Sequence, residues 1–122
     1  MGETVYIVDP LPAERSQILV ALASEPVTLE CYESAEQFLC HPGTMAPGCV
    51  IALVDLEGMG VRGLIKEILR RDLALAVVVI GRSSDLVTAV ELVRAGASDF
   101  LERPFSDRRL RSAVRRAIGG EA

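Results

Sequence analysis

"CVIALVDLEGMGVRG", residues 49–63, decides the fold, because an apolar run ends there on a single carboxylate and continues into a glycine-rich loop. Residues 50–54 are apolar throughout, as expected of a strand that is buried on both faces. Asp55 follows this segment, and glycines stand at positions 58, 60 and 63. Because glycine tolerates tight turns, the stretch predicts a strand whose carboxyl end presents an acid beside a compact loop.

Apolar segments of the same kind recur along the chain and alternate with segments of helical periodicity. Strands are predicted over residues 4–8, 27–32, 50–54, 76–80 and 98–101. Helices are predicted to begin at Pro12 and after the capping Ser34, and to cover residues 63–71, 85–94 and 107–118, the last capped by Ser106. The spacing of Leu86, Ala89, Val90 and Val93 indicates the fourth helix. This order indicates an α/β fold with a parallel sheet covered by helices.

The chain of 122 residues, half of them hydrophobic, has the size and composition of one domain. We predict a single domain over residues 1–122, in which residues 117–122 are a frayed end or the start of a linker. The longest apolar run, at residues 73–80, is far shorter than the roughly 18–20 residues that span a bilayer. No signal segment is recognisable, so the sequence predicts a cytoplasmic protein with no membrane partner. Three widely spaced cysteines do not indicate a disulfide framework.

Charged side chains follow three of the predicted strands. Asp9 follows the first, Asp55 the third and Arg103 the fifth. Because parallel strands of a doubly wound sheet end at one crevice, we expect these side chains to lie close together. Two carboxylates in one crevice repel each other unless a cation intervenes, and Mg²⁺ prefers such oxygen ligands. The alternative is that both acids are only polar strand ends, and position alone does not separate the two.

Three stretches in order resemble the receiver domain of two-component response regulators, most closely those of the FixJ/NarL type. They are "TVYIVDPLPAERSQI" at residues 4–18, "LVDLEGMGVRGL" at residues 53–64 and "AVELVRAGASDFLERPF" at residues 89–105. The resemblance covers nearly the whole chain. It implies a flavodoxin-like doubly wound sandwich of five strands and five helices, with the parallel sheet order 2-1-3-4-5.

The resemblance also implies roles for individual residues. Asp55 corresponds to the aspartate that accepts phosphate from a histidine kinase or a phosphotransfer protein. Mg²⁺ would be held by Asp9, Asp55 and the backbone carbonyl of Glu57. Phe100 corresponds to the aromatic switch residue, and Pro104 to the proline that follows a cis peptide bond.

The sequence departs from the family's pattern in the residues that support the phosphoacceptor. Pro10 stands where a second acid is usual, and Gly81 stands where a Thr or Ser hydroxyl is usual. Ser83 or Ser84 would substitute for that hydroxyl only in a differently bent loop. Arg103 replaces the lysine, so charge is kept on a broader group that could pair with Asp55 in a bidentate manner. We therefore expect Mg²⁺ to bind weakly or not at all.

Three functions follow from this comparison. The first is an atypical receiver that is phosphorylated weakly or not at all and acts by protein–protein interaction. The second is a working receiver, phosphorylated on Asp55 by a histidine kinase, that regulates a transcriptional output domain. In neither case is the chain an enzyme beyond its self-phosphorylation from a phosphohistidine donor. The third, a flavin- or nucleotide-binding protein of the same architecture, is disfavoured because "DPLPAER" at residues 9–15 is not a phosphate-binding loop.

The last helix carries a stripe of arginines at helical spacing. Arg108, Arg111 and Arg115 form the stripe, with Arg109 and Arg116 beside it. Acids lie on the neighbouring elements at Asp85, Glu91, Asp99 and Glu102. Opposite charges on one face suit a symmetric homodimer through the fourth helix, fifth strand and fifth helix, weakened by salt. The alternative is a solvated helix face, and no nucleic-acid binding is predicted because the domain is acidic and offers no stacking aromatics there.

Overall fold

The five apolar segments pair side by side into one parallel sheet. A computed structural model describes residues 3–40, 45–82 and 86–119. The strands are β1 (Glu3–Val8), β2 (Val27–Tyr32), β3 (Gly48–Leu53), β4 (Leu75–Gly81) and β5 (Asp99–Glu102). Their order is β2-β1-β3-β4-β5, and every neighbouring pair is parallel. The predicted flavodoxin-like fold and strand order are confirmed.

Helices cover both faces of this sheet. They are α1 (Pro12–Leu22), α2 (Ala35–Leu39), α3 (Gly60–Arg70), α4 (Leu86–Ala95) and α5 (Asp107–Gly119). One buried cluster joins α2, α3 and α4 to the sheet, and a second joins α1 and α5 to its other face. None of the helices among the described residues is both long and apolar enough to cross a membrane.

The central strands are apolar on both faces, as the sequence predicts for a covered parallel sheet. In β1, Tyr6 and Val8 belong to the cluster under α2, α3 and α4, whereas Val5 and Ile7 belong to the cluster under α1 and α5. Strands β3 and β4 alternate in the same way. Because each central strand contributes to both cores, the sheet fixes the positions of the loops at its carboxyl edge. The cysteines at positions 31, 40 and 49 are free, and burial raises the pKa of the Cys49 thiol to about 12.

Helix ends follow the predicted capping residues. The Ser34 hydroxyl accepts a hydrogen bond from the Gln37 N–H at 3.0 Å, and the Ser106 hydroxyl accepts one from the Arg109 N–H at 3.1 Å. Gly96, with a positive φ of 128°, follows α4. Helix α5 continues to Gly119, so residues 117–119 are helical and the predicted fraying does not begin there. Residues 120–122 lie outside the described part of the chain.

The buried face of α4 includes only some of the apolar residues whose spacing indicates the helix. Val90 and Val93 are 54% and 48% exposed, whereas Ala89 and Leu92 are buried. Apolar residues occur on more than one side of this helix, so periodicity predicts the helix but does not choose which of them is buried. Packing on β5 and α3 decides the matter and leaves Val87 exposed as well. The side chain of Leu86 lies outside the described part of the structure.

The arginine stripe of α5 contacts α1 and the turn after it, which the sequence did not predict. The Arg111 guanidinium donates to the Ala21 carbonyl oxygen at 3.2 Å. Arg115 donates two hydrogen bonds to the Glu25 carboxylate, at 2.9 and 2.8 Å. Both acceptors belong to α1 and the turn after it, because α5 packs beside α1 on the same face of the sheet. The prediction that this stripe lies on the surface of α4, β5 and α5 was therefore wrong for Arg111 and Arg115.

Candidate functional site

The carboxyl ends of the strands open onto a cavity of about 580 Å³. Four of the predicted site residues line it, namely Asp55, Glu57, Gly81 and Arg103. Its wall also carries the acids Glu14, Glu33 and Glu36, which the sequence prediction did not include. Asp9, Phe100 and Pro104 are not part of the lining. The structure thus brings together the acid after β3 and the cation after β5, as the topology predicts.

Asp55 lies two residues beyond the end of β3 and its side chain is exposed. Among the described residues, none donates a hydrogen bond to its carboxylate or forms an ion pair with it. The loop around it is held by other groups: the Val54 N–H donates to the Ile80 carbonyl oxygen at 2.9 Å, and the Met59 N–H donates to the Glu36 carboxylate at 2.7 Å. Asp55 is therefore an available carboxylate on a fixed loop.

Glu57 belongs to the same loop as Asp55. Its side chain is exposed, and its carbonyl oxygen accepts a long hydrogen bond from the Gly60 N–H at 3.4 Å. So weak a bond leaves this oxygen able to accept another ligand. The backbone of this loop therefore keeps the acceptor that the resemblance requires at Glu57.

Asp9 directly follows β1 and is 1% exposed. Its Oδ1 accepts a hydrogen bond from the Leu11 N–H at 2.8 Å, whereas its buried Oδ2 has no hydrogen-bond partner among the described residues. Burial, and next the proximity of the Glu14 carboxylate, raise the pKa of Asp9 to about 6. Arg15 donates to the carbonyl oxygen of Asp9 at 2.6 Å rather than to its carboxylate. Asp9 is thus a buried acid with a single hydrogen bond to its carboxylate among the described residues.

Arg103 directs its guanidinium toward α1. Its Nη2 lies 3.2 Å from the Glu14 carboxylate, and its Nη1 donates to the Gln17 side-chain oxygen at 3.3 Å. The guanidinium carbon also lies 5.1 Å from the centre of the Phe105 ring. Within the described residues no pair forms between Arg103 and Asp55, so the bidentate pair that the sequence allows is not made. The first turn of α1 lies beside the end of β5 and engages the guanidinium instead.

The remaining predicted residues lie around the end of β5. The carbonyl oxygen of Gly81, the last residue of β4, accepts a hydrogen bond from the Arg103 N–H at 2.7 Å. Phe100 is half-buried and packs against the cluster under α2, α3 and α4. The peptide bond between Arg103 and Pro104 is cis, the isomer that the resemblance implies. Ser83 and Ser84, the alternative hydroxyl donors, lie outside the described residues.

A family model described as the response regulator receiver domain matches residues 5–115. The chain belongs to this family. Receiver domains are signalling modules of two-component systems, and their partners are histidine kinases or phosphotransfer proteins.

The receiver domain is similar to parts of two curated regulators. It is 33% identical to the transcriptional regulatory protein FixJ of Azorhizobium caulinodans over 118 residues, which are 97% of this chain and 56% of that protein. It is 30% identical to the response regulator protein TodT of Pseudomonas putida over 120 residues, 96% of this chain and 52% of that protein. The chain therefore spans about half the length of these relatives.

Solved receiver structures superpose closely on this chain. The receiver domain of NtrX from Brucella abortus is 29% identical with a TM-score of 0.86, covering 94% of this chain and 98% of that one. The response regulator receiver protein from Pseudoalteromonas atlantica is 30% identical with a TM-score of 0.84, covering 98% and 99%.

Receiver domains typically bind Mg²⁺ at the phosphorylation site, so the fit of these residues to a metal can be tested. Pro10 offers no carboxylate, and one oxygen of Asp9 is already bonded to the Leu11 N–H. The positive charge of Arg103 lies next to Glu14, close enough to Asp9 to lower its pKa. Within the part of the chain that the structure describes, no three His, Cys, Asp or Glu side chains are placed to hold a metal ion. As they stand, these residues do not fit a tightly bound Mg²⁺.

Three side chains of the site were missed by the sequence reasoning. Glu14 and Gln17 of α1 contact Arg103, and Glu36 of α2 binds the loop after Asp55. Glu14 stands at the third position of α1, where a glutamate is ordinarily assigned to helix capping. Its position one helical turn beyond Pro10 could have indicated that it lies near the end of β1. Glu36 gave no signal, because its contact depends on how α2 packs against α3.

Proposed function

We propose that this receiver domain accepts phosphate at Asp55 weakly or not at all and acts mainly by binding other proteins. The observation that carries the proposal is the direction of Arg103, which is engaged by Glu14 and Gln17 of α1. A cation assists phosphoryl transfer only where it meets the developing charge on the phosphoryl oxygens. Here Asp55 has no partner among the described residues, and the Arg103 guanidinium is held by α1. We place this receiver in the cytoplasm, as the sequence predicts.

Two further groups that would assist phosphorylation of Asp55 are absent at positions 10 and 81 of the cavity wall. Gly81 lines the cavity without a hydroxyl to donate to a phosphoryl oxygen, and Pro10 contributes neither a carboxylate nor an N–H. Loss of one positioned donor slows acyl transfer by about 10²–10³-fold, and we expect an effect of similar size on phosphoryl transfer here. Asp55 should accordingly be phosphorylated at least about 10²-fold more slowly than in a receiver that has the second acid, the hydroxyl and the lysine.

The test is incubation with acetyl phosphate and Mg²⁺, followed by intact-protein mass spectrometry at neutral pH. We expect no more than a trace of the mass of one added phosphoryl group on the wild type, indistinguishable from an Asp55→Asn control. A labile phosphoryl group on most wild-type molecules, absent from Asp55→Asn, would contradict the proposal.

That contrary result would support the second candidate, a working receiver phosphorylated on Asp55 by a histidine kinase. The exposed and unpartnered carboxylate of Asp55 at the cavity wall favours this candidate. The carboxylate oxygen would form a bond to phosphorus as the bond from phosphorus to the donor's imidazole nitrogen breaks. The chain would catalyse nothing beyond this transfer to itself. Because the relatives it matches include transcriptional regulatory proteins, its output would be a transcriptional domain elsewhere in the natural protein.

For the binding activity, we propose that a second copy of this receiver docks on the surface of α4, β5 and α5. Helix α4 exposes Val87, Val90 and Val93 there, at 75%, 54% and 48%. Acidic Glu91 and Glu102 lie at this surface together with basic Arg116 of α5, which contacts Asp99 of β5, so opposite charges can pair between two copies and salt should weaken the contact. An apolar strip between charged residues suits a self-complementary contact better than it suits nucleic acid.

Sedimentation velocity tests this dimer. Val90→Asp should weaken association about tenfold or more, because a carboxylate would be buried at the contact. Val20→Asp is the matched control, since Val20 is 73% exposed on α1, on the other side of the sheet. A wild type that remains monomeric at high concentration in both low and high salt would rule out this dimer.

A further inference from the structure

Glu14 places a second carboxylate beside Asp9, although Pro10 removes the usual one. Glu14 is the third residue of α1, and a glutamate there commonly folds back to accept the N–H of the capping residue. In this chain the N–H of the capping residue, Leu11, donates to Asp9 Oδ1 at 2.8 Å. The Glu14 side chain is therefore left in the cavity wall, where its Oε1 is buried, and its charge raises the pKa of Asp9. The helix supplies the second acid of the pocket.

Arg103 is the cation that meets this pair of acids. Its Nη2 lies 3.2 Å from Glu14 Oε1, and the charge of Arg103 also acts on Asp9. The contact is an ion pair by distance, but Nε and Nη2 of Arg103 and Oε1 of Glu14 are buried and form no hydrogen bond with any described residue. The attraction thus acts as one charge on another, without the directed geometry of a hydrogen bond. A divalent cation between carboxylates would act in the same way.

We propose that Arg103 is the built-in counter-ion of the Asp9–Glu14 pair and takes the place that a divalent cation has in an acid pocket of this kind. The inference deepens the proposed function, on which it rests, because a pocket that carries its own cation gains little from Mg²⁺. The guanidinium is suited to this role because it stays charged at every physiological pH. Contacts with Gln17 and Phe105 hold it in position.

Thermal unfolding without any phosphodonor tests the proposal, so its failure is separate from failure of the proposed function. The wild type should unfold at the same temperature in EDTA and in millimolar Mg²⁺. Arg103→Gln should unfold about 5 °C lower or more in EDTA, because the buried Asp9 carboxylate and the partly buried Glu14 carboxylate then lack a counter-charge. Mg²⁺ should restore at least half of that loss, since the vacated position can then hold the metal. Adding Glu14→Gln to Arg103→Gln should abolish the restoration.

Arg62→Gln is the matched control. It also removes one arginine from an ion pair, with Glu91, but both partners are more than half exposed. This variant should unfold within about 2 °C of the wild type and should not respond to Mg²⁺. The proposal is overturned if Mg²⁺ raises the unfolding temperature of the wild type as much as that of Arg103→Gln. It is equally overturned if Arg103→Gln is as stable as the wild type in EDTA, or if its loss persists in Mg²⁺.

Discussion

Replacing Gly48 with alanine is expected to lower the free energy of unfolding by about 3 kcal/mol or more, or to prevent folding altogether. Gly48 is the first residue of β3, and it pairs with Thr4 of β1 on one side and with Leu75 of β4 on the other. A Cβ atom added at Gly48 would overlap the backbone carbonyl oxygen of Thr4 and would lie 2.9 Å from two further backbone atoms of that residue. Backbone in a central strand cannot turn aside, so β1 and β3 would have to separate.

Gly60→Ala is the matched control for this experiment. Both glycines have a positive φ, 156° at Gly48 and 74° at Gly60. At Gly60, however, no heavy atom lies within 4 Å of an added Cβ. Its substitution should therefore cost only the strain of an L-residue in that conformation, about 1–2 kcal/mol. Urea unfolding followed by circular dichroism compares the two variants. Equal midpoints for Gly48→Ala and Gly60→Ala would show that the close approach to Thr4 is not what requires glycine.

The strands around Gly48 could be predicted from the sequence, whereas the requirement for glycine at this position could not. Residues 50–54 and 76–80 were predicted as strands because apolar runs between turn residues are a local property. The requirement for glycine at position 48 depends on Thr4, which is remote in the chain and adjacent only after the sheet has formed. For the same reason periodicity predicted helix α4 but not that its Val90 and Val93 would be exposed. Which apolar side turns inward depends on the neighbours that the helix meets.

The candidate site was likewise predicted only in part. Asp55 and Arg103 were predicted to share one edge of the sheet because the ends of parallel strands meet there, and both line the cavity. The partners of Arg103 were not predicted. Its pairing with Glu14 and Gln17 depends on how far the first turn of α1 reaches toward the end of β5. Topology therefore predicts which residues share the edge, whereas packing decides which of them bind one another.

The triple variant Pro10→Asp, Gly81→Thr and Arg103→Lys is expected to raise the initial rate of Asp55 phosphorylation by acetyl phosphate about 10²-fold or more. The first change returns a carboxylate for Mg²⁺, and the second returns a hydroxyl at the cavity wall. In the third, a compact ammonium replaces the planar fork that now contacts Glu14 and Gln17. Both Pro10 and Gly81 line the cavity, so the new groups would be added where a phosphoryl group must lie. Intact mass at short times measures the rate.

The same three substitutions with Asp55→Asn give the control, which should remain unphosphorylated at all times. Thermal unfolding in the absence of donor must first show that the triple variant folds. If the folded triple variant is no faster than the wild type, the lost groups are not what limits the reaction. If the wild type is already as fast, Asp55 needs none of them, and Arg103 in its present position is no obstacle. Only a large gain that depends on Asp55 would mean that the acceptor has remained competent while its supporting groups were replaced.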